Sequence, residues 1–339
     1  MSKNLSPGFA LPLAIVAVGL LALGLVMAVP TSDLLAREVR HARARLALER
    51  IATIAETRIG YLLLTEPVGL RGLSVGGAKL AVDGSLIAGR GERERGEIVL
   101  DGRPYRLALD AQTQLIVRVQ EKAGLLNLVD ARPEAVRRVM QACGWPRDEA
   151  AAAAQRVSAS QSWFAAADDS AFDEVSQRLS TAFRASLRGD QQRRLDTATS
   201  VIPAGTGLHL PTAPRAVVLA LFGDNHGAAE AYLASREGQN NTTRMAITNS
   251  QNEYSLLSGT VKRGSMTGKM RVTIAIEQSQ LTIGLPLYFY QSDMEVDLDF
   301  PDRSFAAKDP IVNAGRYAQC TEPLGEVVEP LPGPWRAGR

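Results

Sequence analysis

The residues able to do covalent or metal chemistry are few and scattered. Two cysteines, Cys143 and Cys320, share no Cys-x-x-Cys spacing, which excludes a zinc ribbon or a thioredoxin-like site. If the chain is exported, a disulfide between them and two separate thiols are both open readings. His41, His209 and His226 do not pair with one another at ligand spacing and read as surface or capping residues. No His-Glu-x-x-His or Walker sequence is present, and Gly72-Leu73-Ser74-Val75-Gly76 is the single match to the short Gly-x-Ser-x-Gly spacing. The glycines of Gly72–Gly77 are not followed by the Lys-Ser/Thr that a phosphate loop needs. The sequence therefore reads as a non-enzyme, with an anchored enzyme or binding protein kept as the rival class.

The bulk numbers agree with a structural role. The chain has 339 residues with a net charge of +2, so charge gives no argument for nucleic-acid binding. Apolar residues make up 45% and charged ones 22%, which is ordinary for a globular chain of one large domain or two smaller ones.

The strongest signal is the uncharged run Phe9–Val29, FALPLAIVAVGLLALGLVMAV. With Pro30 it makes about 33 Å of helix at 1.5 Å per residue, enough to span a hydrocarbon core of about 30 Å. A secretory signal peptide cut after Ala28 is the rival. The leader MSKNLSPG carries Lys3 and ends in Gly8. The Gly8–Phe9 junction, at the polar-to-apolar boundary, resembles the type III signal of type IV pilins and pseudopilins. That resemblance implies cleavage by a prepilin peptidase between Gly8 and Phe9 and N-methylation of Phe9. Pro12 then falls where helix N–H groups lack an acceptor, and cleavage removes the Gly8 carbonyl that its ring would meet. Pro30 reads either as a kink or as a helix stop at the membrane edge. Most pilins carry a glutamate where this chain has Leu13. The K-type minor pseudopilin of type II secretion typically lacks it, in keeping with a filament-tip position.

Beyond the anchor, Leu35, Val39, Ala42, Leu46, Ile54 and Leu62 recur at helical spacing. This stripe is expected to pack on a sheet, with Arg and Glu filling the other faces. After the breakers from Pro67 to Gly77, Glu97–Leu100 and Tyr105–Leu109 read as a hairpin about Asp101-Gly102. Leu115–Val119 is a further strand. From Gly124 the pattern turns helical: Ala131–Cys143, Arg147–Val157, Ala171–Leu187, Ala213–Phe222 and Ala228–Arg236. Within it, Gly124-Leu125-Leu126-Asn127-Leu128 with Ala135-Val136 is echoed by Gly207-Leu208-His209-Leu210 with Ala216-Val217. Two related lobes or chance likeness among Ala-rich helices would each produce that echo. Strand signals return at Tyr254–Val261, Lys269–Glu277 and Leu281–Tyr290. The Pro-rich end, 323–339, reads as a disordered tail.

This layout, with Val119-Gln120-Glu121-Lys122-Ala123-Gly124-Leu125-Leu126-Asn127-Leu128-Val129 before the first inserted helix, is similar to the K-type minor pseudopilin family. Lys122 stands where that family has an acid, and Val129 where a second Asn is usual. The resemblance implies an α+β, pilin-like fold: a long N-terminal helix on a small antiparallel sheet, with a large helical insertion inside the sheet domain. The expected segments are a leader (1–8), the long helix (9–66, with 9–29 in the membrane), sheet (67–123), insertion (124–238), sheet (239–322) and tail (323–339).

The implied function is a tip subunit of the periplasmic pseudopilus, aiding its initiation and protein export. The implied location is the bacterial inner membrane, single-pass, with the bulk of the chain in the periplasm. Implied partners are I- and J-type minor pseudopilins, the major pseudopilin, prepilin peptidase, the inner-membrane platform and exported proteins. A minor pilin of another type IV filament is the alternative within the class. Some family members bind calcium. Asp168, Asp169 and Asp173, or Asp293, Glu295, Asp297 and Asp299, offer some of the six to eight oxygens calcium needs. A solvated acidic surface explains the same residues, and no ligand is assigned.

Overall fold

The computed structural model describes residues 10–69, 71–74, 79–80, 86–87, 97–108, 114–165, 194–202, 207–223, 225–237, 266–276, 288–296, 305–314 and 329–330. The chain opens with α1 (Ala10–Thr65), about 84 Å of helix at 1.5 Å per residue. Pro12 sits in its first turn, where no intrahelical N–H bond is lost. Pro30 lies in its interior, so Pro30 is not a helix stop. α1 ends just before Pro67, because the residue ahead of a proline is pushed out of helical geometry.

Short strands follow: β1 (Gly72–Ser74), β2 (Lys79–Leu80), β3 (Leu86–Ile87) and β4 (Glu97–Val99). Next come β5 (Asp101–Ala108) and β6 (Gln114–Glu121). The inserted region holds β7 (Leu126–Asn127), α2 (Pro133–Ala142), α3 (Arg147–Ala165), β8 (Thr199–Ser200), α4 (Arg215–Phe222) and α5 (His226–Glu237). The chain then adds β9 (Lys269–Ile276), β10 (Tyr288–Val296), β11 (Phe305–Ala314) and β12 (Glu329–Pro330).

The main sheet has the order β11-β10-β9-β6-β5-β12. All neighbours are antiparallel except β12 with β5. β6 and β9 lie side by side, Leu115 opposite Ile276 and Glu121 opposite Met270, and the described helices α2 to α5 fall between them in sequence. The fold is therefore α+β, with a long N-terminal helix on an antiparallel sheet and a helical insertion inside the sheet domain. Strand alternation turns Leu115, Val117, Val119, Val272, Ile274, Tyr290 and Met294 toward α1.

The face of α1 that meets the sheet is not the expected one. Leu48, Ala52, Ala55, Ile59 and Leu62, at steps of four and three, are buried with Leu63 in the sheet core. Leu35, Val39, Leu46 and Ile54 are exposed, and of the expected stripe only Leu62 is in contact. The two alanines bring the helix close to the strands. The bulkier residues lie on another face or ahead of the first strand contact.

The expected hairpin at Asp101-Gly102 is also replaced. β4 pairs with β1, and β5 pairs with β6. Gly102, at φ +79°, sits in a register shift between Asp101 and Pro104, so it forms a bulge rather than a hairpin turn. The Asp-Gly signal was genuine, since both features need a residue that tolerates positive φ. Gly72 serves pairing instead of phosphate: a Cβ there would lie 1.9 Å from the Ile98 carbonyl oxygen.

Among the described residues the inserted region forms one core, not two lobes. α2 packs on α3 and α4, and α4 on α5. The echoed segments bury matching positions: Ala135, Val136, Val139 and Met140 in α2, and Ala216, Val217, Ala220 and Leu221 in α4. Both helices give way to positive-φ glycines, Gly144 and Gly223. The expected helix at 171–187 and the strand at 254–261 lie outside the described residues. So do 281–287, and among the described residues the last expected strand covers Tyr288–Val296, running through the acidic stretch. Within the expected tail, Glu329–Pro330 adds to the sheet edge, a place where the missing proline N–H is tolerated.

Candidate functional site

The described residues contain no cluster of three or more His, Cys, Asp or Glu side chains able to hold a metal. Two other features stand out: the uncovered length of α1, and the charged joint that fixes the insertion to the sheet.

Contact between α1 and the sheet begins at Leu48, which leaves about 57 Å of helix beyond it at 1.5 Å per residue. Ile15, Val16, Val18, Leu20, Leu21 and Leu23, on all sides of this stretch, are 57 to 74% exposed. A helix apolar all round needs lipid or other helices to cover it. Among the described residues no helix is long and apolar enough to cross a membrane. The expected span 9–29 is only partly among them, since Phe9 and the side chains of 24–31 lie outside. Gly8 and the Leu13 side chain lie outside as well, and Pro12 is exposed.

The joint sits where α1 ends. Beyond Thr65 the chain reaches Arg71, whose carbonyl accepts from Leu100 N–H and whose guanidinium donates to the Arg236 carbonyl of α5. Arg236, buried, lies 3.4 Å from Asp101 and donates to the Ala213 carbonyl at 2.5 Å. Arg103 clasps the same carboxylate at 3.0 and 2.8 Å. Across the sheet, Asp293 accepts from Lys122 at 2.6 Å and from Arg271 at 3.1 Å, and Arg271 also donates to the Asp196 carbonyl. Glu121 ends β6 fully buried, accepting from Thr267 N–H, Thr267 Oγ1 and Ala123 N–H. The insertion therefore sits at the pole where α1 ends, away from the free apolar length.

The electrostatics of this joint have a sign that can be tested. Burial alone would raise Asp293, but the charges of Arg271 and Lys122 outweigh it and hold the carboxyl below its ordinary 3.8. Asp101 is lowered in the same way: burial opposes, and Arg103 and Arg236 prevail. A carboxylate depressed by folding contributes stability above its unfolded pKa and loses it as pH falls through the folded one. The melting temperature is thus expected to fall as pH drops below about 4. In Asp293→Asn that fall should be shallower, as read from thermal melts between pH 7 and 2. Equal slopes in the two proteins would contradict the assignment.

The segment before the first inserted helix is explained residue by residue. Asn127 Nδ2 donates to the Ile202 carbonyl, and its Oδ1 accepts from Ile202 and Val129 N–H. Lys122, the departure from an acid, has Asp293 as its partner. Val129 is buried. Cys143 is buried in the insertion core and disulfide-bonded. Cys320 lies outside the described residues. His209 is buried at the N-cap of the 3-10 turn Leu210–Thr212, its Nδ1 2.9 Å from Thr212 Oγ1, so of the two expected places, surface or cap, it takes the cap.

The acidic row on β10 is not a free oxygen cluster either. Asp293 is taken by Lys122 and Arg271, and Glu295 lies 3.7 Å from Lys269. Asp168, Asp169, Asp173, Asp297 and Asp299 lie outside the described residues. Sequence reasoning missed Glu56. Its carboxylate, on the sheet-facing side of α1, accepts from Tyr290 OH at 2.6 Å and from Ser292 Oγ. The available signal was a lone acid amid the Ala52–Ile59 seam.

No protein family matches the sequence, and no curated protein does. Among solved structures, the chain is similar to one in the crystal structure of the GspK-GspI-GspJ complex from the type 2 secretion system of enterotoxigenic Escherichia coli. The identity is 11% and the TM-score 0.39, over 82% of this chain and 98% of that one.

Proposed function

We propose that this chain is a minor pseudopilin of the K type, a tip subunit of a type II secretion pseudopilus that helps to start the filament and to export proteins. The observation that carries the reading is the division of α1: its last third is packed on the sheet, and the described apolar residues far ahead of it, Ile15 to Leu23, are exposed. Such a helix suits lipid before assembly and neighbouring helices afterwards.

In this reading Phe9–Val29 spans the inner membrane with the folded part in the periplasm, where a Cys143–Cys320 disulfide is at home. A prepilin peptidase cuts after Gly8, and Phe9 is N-methylated. Leu13 carries no charge, which spares the membrane segment a cost of about 2.5–3.5 kcal/mol for a carboxylate. It also leaves no acid to pair with the amine of a subunit above. The insertion supports the same position sterically, because its bulk at the far pole of α1 obstructs a further subunit there. I- and J-type minor pseudopilins, the major pseudopilin and the inner-membrane platform are the partners of this reading.

The test is the N-terminus of the protein expressed in a host with prepilin peptidase, read by mass spectrometry. N-methyl-Phe9 is expected. An intact Met1, or an end after Ala28, would sink the proposal.

A further inference from the structure

The two edges of the main sheet are protected in different ways. An edge strand presents unpaired N–H and C=O groups, a template for any extended chain. On β11, at one edge, Asp309 and Pro310 together stand opposite Ser292 alone, so this edge carries a bulge with a proline inside it. On β5, Gly102 and Arg103 stand opposite Val119 in the same manner, and Pro104 follows. Bulge and proline blunt only the first half of β5. Its second half, Tyr105–Ala108, pairs regularly with β6 and has neither device.

β12 lies on that second half. Glu329 stands opposite Tyr105 and Pro330 opposite Arg106, in parallel, so the chain itself occupies the stretch of edge that β5 leaves open. Proximity in sequence does not explain this pairing. β11 and β12 follow one another among the described strands, yet they sit at opposite edges of the sheet. The segment is also of a kind that stops a sheet. An edge strand tolerates a proline where its nitrogen faces away from the ladder. Pro330, Pro332 and Pro334 alternate in the sequence. Successive residues of an extended chain turn their N–H groups to opposite sides, so this spacing strips donors from one side alone. Such a segment closes an edge without offering a new one.

We propose that β12 is an intrachain plug on the second half of β5. It keeps this edge from pairing with another chain, and without it the edge is a strand-acceptor site. The occupant in the folded chain is its own Glu329–Pro330. The plug is held by few backbone bonds, since it spans two residues and one of them has no N–H. It is therefore displaceable, unlike the long pairings of β6 with β5 and β9. The inference does not rest on the filament reading, because the register of the sheet carries it.

Two deletions, made in the full chain and studied in detergent, separate the plug from the residues after it. Removal of 329–339 takes β12 away, and removal of 331–339 leaves it. A photo-crosslinking amino acid in place of the exposed Arg106 reports what lies on the edge. In the intact chain and in the shorter deletion, the adduct is expected within one copy, to the peptide holding Glu329–Pro330. In the longer deletion, an adduct of twice the mass of one copy is expected, joined to residues 101–108 of the second copy. Its yield should rise with protein concentration. Amide hydrogen exchange at 105–108 should be several-fold faster in the longer deletion when dilute, and slow again as copies associate. A synthetic peptide of residues 325–335, in excess, should return the longer deletion to single copies. An intact chain without the internal adduct, equal double-mass yields in the two deletions, unchanged exchange at 105–108, or indifference to the peptide would each overturn the proposal. So would loss of a cooperative melt in the longer deletion, which would make β12 part of the core rather than a plug.

Discussion

Gly124→Ala is expected to destabilise the protein by about 3 kcal/mol or more, at the upper end for overpacking. A Cβ at Gly124 would lie 2.3 Å from the Thr212 carbonyl oxygen, 2.6 Å from its carbon and 2.7 Å from its Oγ1. Two of these three atoms are backbone, and neither segment can readily withdraw. His209 N–H donates to the Ala123 carbonyl at 2.7 Å, and Gln120 Nε2 donates to the Thr212 carbonyl at 3.1 Å. The residue thus lies where the two echoed segments touch, through the 3-10 turns Lys122–Gly124 and Leu210–Thr212. At about 2–4 °C per kcal/mol for a domain of this size, the melting temperature should fall by about 6–12 °C. Limited proteolysis should cut the inserted region first. Gly227→Ala is the control: nothing lies within 4 Å of that Cβ, the site is in α5, and alanine there should be neutral or stabilising by up to about 1 kcal/mol. Equal melting temperatures for the two variants would refute the steric account.

The glycine was legible in the sequence as part of a segment, but its reason was not. Spacing along a chain does not reveal that Thr212 will press against position 124. Local signals performed well where one segment decides its own conformation. Pro133 at the start of α2, and the alternation of Leu115, Val117 and Val119, both led to elements that exist. They failed where two candidate faces compete. α1 carries two apolar seams, and only the position of the sheet selects Leu48–Leu62 over Leu35–Leu46. The same holds for β10, whose outward Asp293 and Glu295 read as a solvated acidic surface or as part of an oxygen cluster. The cations that neutralise them come from positions distant in sequence, Lys122 and Arg271, or across the strand pair, Lys269. The candidate site divides in the same way. The free apolar length of α1 is written in composition, while the joint at Asp101, Glu121 and Asp293 exists only after folding.

Glu56→Ala is expected to cost about 3 kcal/mol and to loosen α1 from the sheet. Glu56 is 8% exposed, and its two oxygens accept from Tyr290 OH and Ser292 Oγ on β10. Removing the carboxylate leaves two buried hydroxyls without that acceptor, each worth about 1–3 kcal/mol when left unmade. Burial, with Glu56 next in effect, pushes the Tyr290 hydroxyl well above its ordinary 10, so it stays a donor throughout the physiological range. Glu56→Gln keeps one acceptor oxygen and should lose only part of that stability. Glu56→Ala with Tyr290→Phe should lose less than the sum of the single changes, because the unsatisfied hydroxyl is gone. Thermal melts of the detergent-solubilised chain supply the energies. Hydrogen exchange over residues 48–63 tells local release of α1 from global unfolding. A loss below about 0.5 kcal/mol, the scale of an ordinary surface change, would mean that the apolar seam alone holds the helix. The larger loss would make this carboxylate the polar lock between α1 and the sheet.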